Sequence, residues 1–236
     1  MSSDKTVPKP PSTASSSDVA AFLAEVRSRT PVPSERRGRL VFALDATMSR
    51  QPTWDSACVL QAEMFQEAAA SGGLAIQLVY FRGLAECRAS GFVSQADKLA
   101  ALMRRIDCRG GHTQIGRVLS HTINEHARQR VQAVVFVGDA MEEKVDDLCV
   151  AAGQLGLLGV PLFLFQEGGD PVAEQAFREM ARLSRGGYSR FDAGAARQLA
   201  DLLRAVAAYA SGGRAALAAL SSRNNDGARH LLAQLG

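Results

Sequence analysis

The chain predicts an α/β fold: a doubly wound, mostly parallel sheet with one antiparallel edge strand and helices on both faces. Three observations lead there. Apolar runs of strand length at 40–44, 134–137 and 160–165 carry almost no polar residue, as strands covered on both faces require. Between such runs lie segments with helical periodicity, the clearest being Ile115, Val118, Leu119, Thr122 and His126 at three- and four-residue spacing. The two kinds of segment alternate, which is the pattern of parallel strands joined by right-handed helical crossovers.

In chain order, residues 1–35 are expected to be a flexible tail holding one short amphipathic helix. The first 16 are rich in Ser, Pro and Lys and lack any apolar pattern. Ser17 and Asp18 suit a helix cap, Val19, Phe22, Leu23 and Val26 share one face over about 18–29, and Thr30-Pro31-Val32-Pro33 stops the helix. The main domain is expected at 36–210. Its first strand is Leu40–Leu44, and a helix from about Thr53 to Ala70 follows, with Trp54, Leu60, Met64 and Phe65 among its apolar residues. Gly72-Gly73 leads into a strand over Leu74–Phe81, and Arg82-Gly83 turns the chain into a polar stretch that returns as the antiparallel edge. Helices are expected at about 95–107, around 115–126, at 145–155, at 172–184 and from 195 to 209, with strands at 134–137, 160–165 and 188–191. Past Ser211-Gly212-Gly213, residues 211–236 form a C-terminal helical extension that either docks on the domain or serves a partner.

Bulk properties bound the function. With 236 residues, 47% of them hydrophobic and 22% charged, the chain has the composition of an ordinary globular protein with a sizeable core. A net charge of +3, with basic residues scattered or in pairs such as Arg36-Arg37 and Arg104-Arg105, gives no support to nucleic-acid binding. Cys58, Cys87, Cys108 and Cys149 lie far apart in or beside apolar segments, as buried thiols of a reducing compartment do. No stretch has the roughly 18 uninterrupted apolar residues of a membrane span, and the polar N-terminus is unlike a secretion signal. A cytoplasmic location is expected.

The chemistry concentrates at the ends of two strands. Ligands of doubly wound sheets gather beyond the carboxyl ends of the strands, and Asp45 and Asp139 both stand there. Thr47 and Ser49 point the same way if the backbone after Asp45 is extended, and Thr113, behind Gly110-Gly111, brings a third hydroxyl. Two carboxylates, three hydroxyls and water make an all-oxygen shell suited to Mg²⁺ or Mn²⁺. Taken singly, each of these residues also fits a helix cap.

The ordered set Asp45-Ala46-Thr47-Met48-Ser49, Gly110-Gly111-His112-Thr113 and Gly138-Asp139 resembles a von Willebrand factor type A (VWA) domain of the intracellular bacterial type, with an intact metal-ion-dependent adhesion site (MIDAS). The resemblance covers about residues 36–210, and Thr47 replaces a serine of the family pattern without losing the hydroxyl. It implies a Rossmann-like sheet. It also implies direct metal contacts from Thr47, Ser49 and Thr113, contacts through water from Asp45 and Asp139, and an open coordination position that takes Asp or Glu from a protein partner. Domains of this resemblance often serve multiprotein assemblies, ATPase and chaperone-type machines among them.

Other residues are weaker candidates. Arg50, Trp54, Arg109 and His112 are expected to rim the crevice and meet the partner. His121 and His126, five apart on one helix, do not align as a zinc pair. Glu142 and Glu143, shortly after Asp139, either add negative charge near the metal or, the preferred reading, complement a helix N-terminus.

The expected function is therefore a metal-dependent protein-binding module and not an enzyme. One alternative is Mg²⁺-dependent phosphoryl transfer with Asp45 as nucleophile, against which stands Thr47 at the position where such phosphatases carry a second Asp. A metal-independent scaffold is the other.

Overall fold

The computed structural model describes residues 38–51, 54, 74–192 and 196–235. The helix expected within 1–35, the helix expected from Thr53 to Ala70 (Trp54 apart) and Cys58 lie outside these residues.

Six strands form one sheet in the order β3-β2-β1-β4-β5-β6. They are β1 (Gly38–Asp45), β2 (Leu74–Arg82), β3 (Glu86–Val93), β4 (Ala133–Gly138), β5 (Leu162–Glu167) and β6 (Gly187–Phe191). All neighbours pair in parallel except β2 and β3, the antiparallel edge. Among the described residues the helices with defined bounds are α1 (Ala96–Met103), α2 (Ile115–Arg128), α3 (Val145–Leu157), α4 (Pro171–Ser184), α5 (Ala196–Ser221) and α6 (Asp226–Gln234). The predicted class is the observed one.

Alternation along the apolar strands divides the core into two layers. Leu40, Phe42 and Leu44 of β1, with Val135, Val137, Phe163 and Phe165, pack with α1, α5 and α6. Val41 and Ala43, with Val134, Phe136, Leu162 and Leu164, face α2, α3 and α4. On that second face Phe136 stacks on Phe81 at 6.1 Å and meets the edge of Phe177 at 5.6 Å. Burial on both sides explains why β1 shows no polar alternation.

Local signals set the helix ends. Asp170 caps α4 by accepting from the Val172 and Ala173 amides, both at 2.8 Å, and Pro171 occupies the first turn, where its missing N–H costs nothing. The C-terminal residues dock on the domain. The long helix α5 breaks at Gly212-Gly213, where Gly213 takes a φ of 64°, and Leu217, Ala228 and Leu231 enter the first core layer. Gln234 then reaches the open side of β6: its Oε1 accepts from the Tyr188 amide at 2.8 Å, and its Nε2 donates to the Tyr188 carbonyl at 2.9 Å.

β1 pairs with β2 on one side and β4 on the other, so the strand order reverses between β1 and β4. The crevice beyond their carboxyl ends is the switch point at which doubly wound sheets take ligands.

Candidate metal centre

β1 carries Asp45 to the end of the sheet, where the residue is fully buried. Its Oδ1 accepts the Thr47 amide at 2.8 Å, an Asx turn that bends the chain away from the strand. Thr47 is extended (φ −76°, ψ 165°), but Met48–Arg50 wind into a 3₁₀ turn. The two hydroxyls do not align through an extended backbone, as the sequence suggested. The turn brings them together instead, with Thr47 Oγ1 and Ser49 Oγ 3.1 Å apart. Backbone bonds from Ala46 N–H to the Phe81 carbonyl (3.0 Å) and from Arg109 N–H to the Ala46 carbonyl (3.1 Å) clamp this loop from both sides.

Asp139 follows Gly138 at the end of β4, and Leu44 is in register with Val137, so Asp45 stands level with Gly138. A Cβ built on Gly138 would come within 2.7 Å of the Phe136 ring, so glycine here leaves room for that ring, while Asp45 Cβ would stand at an ordinary contact distance of 3.4 Å. Asp45 Oδ2 and Asp139 Oδ1 are each buried without a hydrogen-bond partner. Burial is the main reason the Asp45 carboxyl is pushed up to about 6; the Asp139 charge adds to the rise, while hydrogen bonds from Thr47 and the Arg50 charge oppose it. Buried polar atoms are almost always satisfied, and two neighbouring acids with orphaned oxygens have the electrostatics of a cation site.

Thr113 is buried and held by reciprocal bonds to Glu142: its amide donates to Oε2 at 3.1 Å, and the Glu142 amide donates to its Oγ1 at 3.0 Å. Its loop lies on the β2–β3 turn, with the His112 amide 3.3 Å from the Gly83 carbonyl and Gln114 Nε2 3.2 Å from the same oxygen. A Cβ on Gly111 would come within 2.0 Å of that carbonyl. Gly111→Ala is therefore expected to lift the Thr113 loop and weaken Mn²⁺ binding about tenfold or more in an EPR titration, while circular dichroism stays that of wild type.

The expected rim divides. Arg50 and Trp54 do not belong to it. The 3₁₀ turn directs Arg50 inward, where it is 1% exposed and its Nε lies 3.0 Å from Glu167 Oε2 at the end of β5. Trp54 is 4% exposed and donates its indole N–H to the Ile106 carbonyl at 3.1 Å. Both stood near the motif in sequence, and packing drew both into the interior. Arg109 and His112 are exposed, the first paired with Asp107 at 3.0 Å and the second 3.2 Å from Glu142. Met48 and Leu84 are 53% and 78% exposed on the same edge of the sheet.

Sequence reasoning missed the roles of Glu142 and Glu143. Glu143 does complement a helix terminus, but that of α2, accepting the Ile115 and Gly116 amides, and not that of the helix that follows it. The signal was faint: α2 has no acid in its first turn and no side-chain cap of its own. His121 and His126 bond to Gln77 and to the Val131 amide instead of a metal. Among the described residues no cluster of three or more His, Cys, Asp or Glu side chains could hold a metal ion. The polar atoms of Asp45, Thr47, Ser49 and Asp139 are all oxygens, the donor type that hard divalent cations take.

No protein-family model matches the chain, and no curated protein matches it in sequence. Solved structures do. The VWA domain of SpRpn10 superposes with a TM-score of 0.57 at 12% identity, covering 70% of this chain and 94% of that one. The chain has the von Willebrand factor type A fold. A von Willebrand factor type A protein from Catenulispora acidiphila matches with a TM-score of 0.58 at 18% identity, over 75% of this chain and 43% of that one. Proximal thread matrix protein 1 from the mussel byssus, in a structure with a zinc-occupied MIDAS motif, matches with a TM-score of 0.56 at 15% identity, over 74% and 46%. The chain thus spans nearly all of the first VWA structure and less than half of each of the other two. No helix among the described residues is long and apolar enough to cross a membrane.

Proposed function

We propose that this VWA-fold chain is a protein-binding module in which Asp45, Thr47, Ser49, Thr113 and Asp139 hold Mg²⁺ or Mn²⁺ for an Asp or Glu side chain of a protein partner. One observation carries the reading: a buried Asp45 and a half-buried Asp139 each keep one buried oxygen without a hydrogen-bond partner, and the loop after Asp45 holds a hydroxyl pair whose Ser49 member opens to solvent. The cation supplies an electrophilic position for an incoming carboxylate. The chain's own residues do the rest. The buried Asp45 and the half-buried Asp139 furnish negative charge, the Asx turn fixes the Thr47 and Ser49 hydroxyls, and Glu142 sets the height of Thr113. The exposed Met48, Leu84, Arg109 and His112 add the selectivity that one carboxylate cannot provide.

Binding in place of catalysis is supported by Asp45 itself. A nucleophilic carboxylate needs an accessible oxygen, whereas Asp45 is fully buried with one oxygen committed to the Thr47 amide. A cytoplasmic role within a multiprotein assembly, such as an ATPase or chaperone-type machine, follows the VWA resemblance and belongs to the same proposal.

The test has two parts. Wild type is expected to bind Mn²⁺ saturably, and Thr113→Ala to lose about tenfold or more in affinity. Partners recovered on the immobilised chain are expected to be released by EDTA and restored by Mg²⁺. Absence of saturable metal binding by wild type sinks the proposal.

A further inference from the structure

β6 is the outer strand of the sheet, and its open side is sealed by side chains at two places. At Tyr188 the carboxamide of Gln234 bonds both backbone groups, and His230 Nε2 lies 3.1 Å from the carbonyl. Parallel pairing turns alternate residues to the same side, so the Arg190 backbone faces outward as well, and there Gln198 Nε2 donates to its carbonyl at 3.0 Å. Residues of both seals line a cavity of about 520 Å³, within the rough span of 300–1,000 Å³ typical of small-molecule sites.

Its walls are basic. Arg178, Arg190, Arg197 and His230 all line it. Asp201 and Asp226 line it too, but their charges are engaged by arginines beyond the lining: Asp201 by Arg204 at 3.0 Å, and Asp226 by Arg229. Arg178 is held at 2.8 Å by Glu174 and lies over the Tyr188 ring at 4.4 Å. Arg190 and Arg197 form no ion pair among the described residues, so the arginines of the lining outnumber its two carboxylates and two guanidinium groups remain to meet an anion. The first turn of α5, which carries Arg197 and Gln198, contains no acid, so the positive end of that helix adds to the same potential. Leu202 and Gly227 give an apolar floor, and Gly227 lets α6 sit on α5 where a Cβ would come within 2.5 Å of the Asp201 backbone.

We propose that this cavity binds a phosphate-bearing small molecule, with Arg190 and Arg197 taking the phosphate. Guanidinium forks match phosphate oxygens in pairs. Gln198 Oε1 and His230 Nδ1, the ends of those side chains that the β6 seals do not use, offer polar contacts to the rest of the molecule, and the volume accommodates one about the size of a nucleotide. The site is separate from the metal crevice and owes nothing to it.

The experiment titrates inorganic phosphate into the ¹⁵N-labelled full chain in EDTA, with sodium chloride at matched ionic strength as control. The expected result is saturable shifts of the Arg190, Arg197 and Gly227 amides at millimolar phosphate, about tenfold weaker binding in Arg190→Gln or in Arg197→Gln, and unchanged binding in Thr113→Ala. Both arginines are exposed, so the variants are expected to melt as wild type does. No saturable shift at these amides, shifts reproduced by chloride, or undiminished affinity in the Arg190→Gln/Arg197→Gln double variant would each overturn the proposal.

Discussion

Asp45→Asn is expected to make the metal-free protein more stable at pH 8 while removing its response to Mg²⁺. The Asp45 carboxyl is pushed up to about 6, chiefly by burial, with the Asp139 charge adding to it. For a carboxyl raised in the folded state, ionisation opposes folding. The cost is absent below the unfolded value of about 4, grows as pH rises through about 6, and is fully present at pH 8, on the order of 2–3 kcal/mol. Asparagine keeps an oxygen for the Thr47 amide and replaces the orphaned Oδ2 by an uncharged N–H₂. Metal-free wild type and variant should therefore melt together near pH 4, and the variant a few degrees higher at pH 8. Mg²⁺ should raise the melting temperature of wild type alone, because binding to the folded state stabilises it. A variant that melts below wild type at pH 8 and still responds to Mg²⁺ would contradict the assignment of Asp45 to the cation.

Arg50→Met should cost about 3–5 kcal/mol, since it leaves Glu167 buried without its counter-charge. Glu167→Gln removes the other half of the same pair and should also be destabilising. The Arg50→Met/Glu167→Gln double variant is expected to recover most of the loss, because two neutral groups no longer demand each other. Urea denaturation of the four proteins closes the cycle. Additive losses would show that the two residues act independently. Arg50 also ends the 3₁₀ turn that carries Ser49, so Arg50→Met should weaken Mn²⁺ binding more than Glu167→Gln does.

The strands and helices were legible in the sequence because burial on both faces writes itself as unbroken apolar runs. β1, β4 and β5 need no knowledge of their partners to be recognised, and Gly110-Gly111 and Gly138 marked the turns that the site requires. The site was legible in part, for a related reason. Asp45, Thr47 and Ser49 lie within five residues, and local geometry alone brings their polar atoms together. What could not be read were pairings between distant segments. The inward course of Arg50 depends on Glu167 at the end of another strand, and the Trp54 indole on the carbonyl of Ile106. The height of Thr113 depends on Glu142, which its own neighbourhood gives no reason to single out. A 3₁₀ turn over three residues also leaves no periodic trace, so the extended backbone expected after Asp45 holds at Thr47 and gives way to a turn from Met48 onward.

Gln234 offers its side-chain amide to Tyr188 as a neighbouring strand would offer its peptide group. One carboxamide at the end of α6 thus occupies the hydrogen-bonding positions through which a second copy would extend the sheet. An uncovered outer strand is a template for edge-to-edge association, and proteins avoid that fate by charge, by twist or by a cover. Here the last helix is the cover. Its residues close the sheet edge at Tyr188 to strand addition, a task distinct from anything that happens beyond the carboxyl ends of β1 and β4.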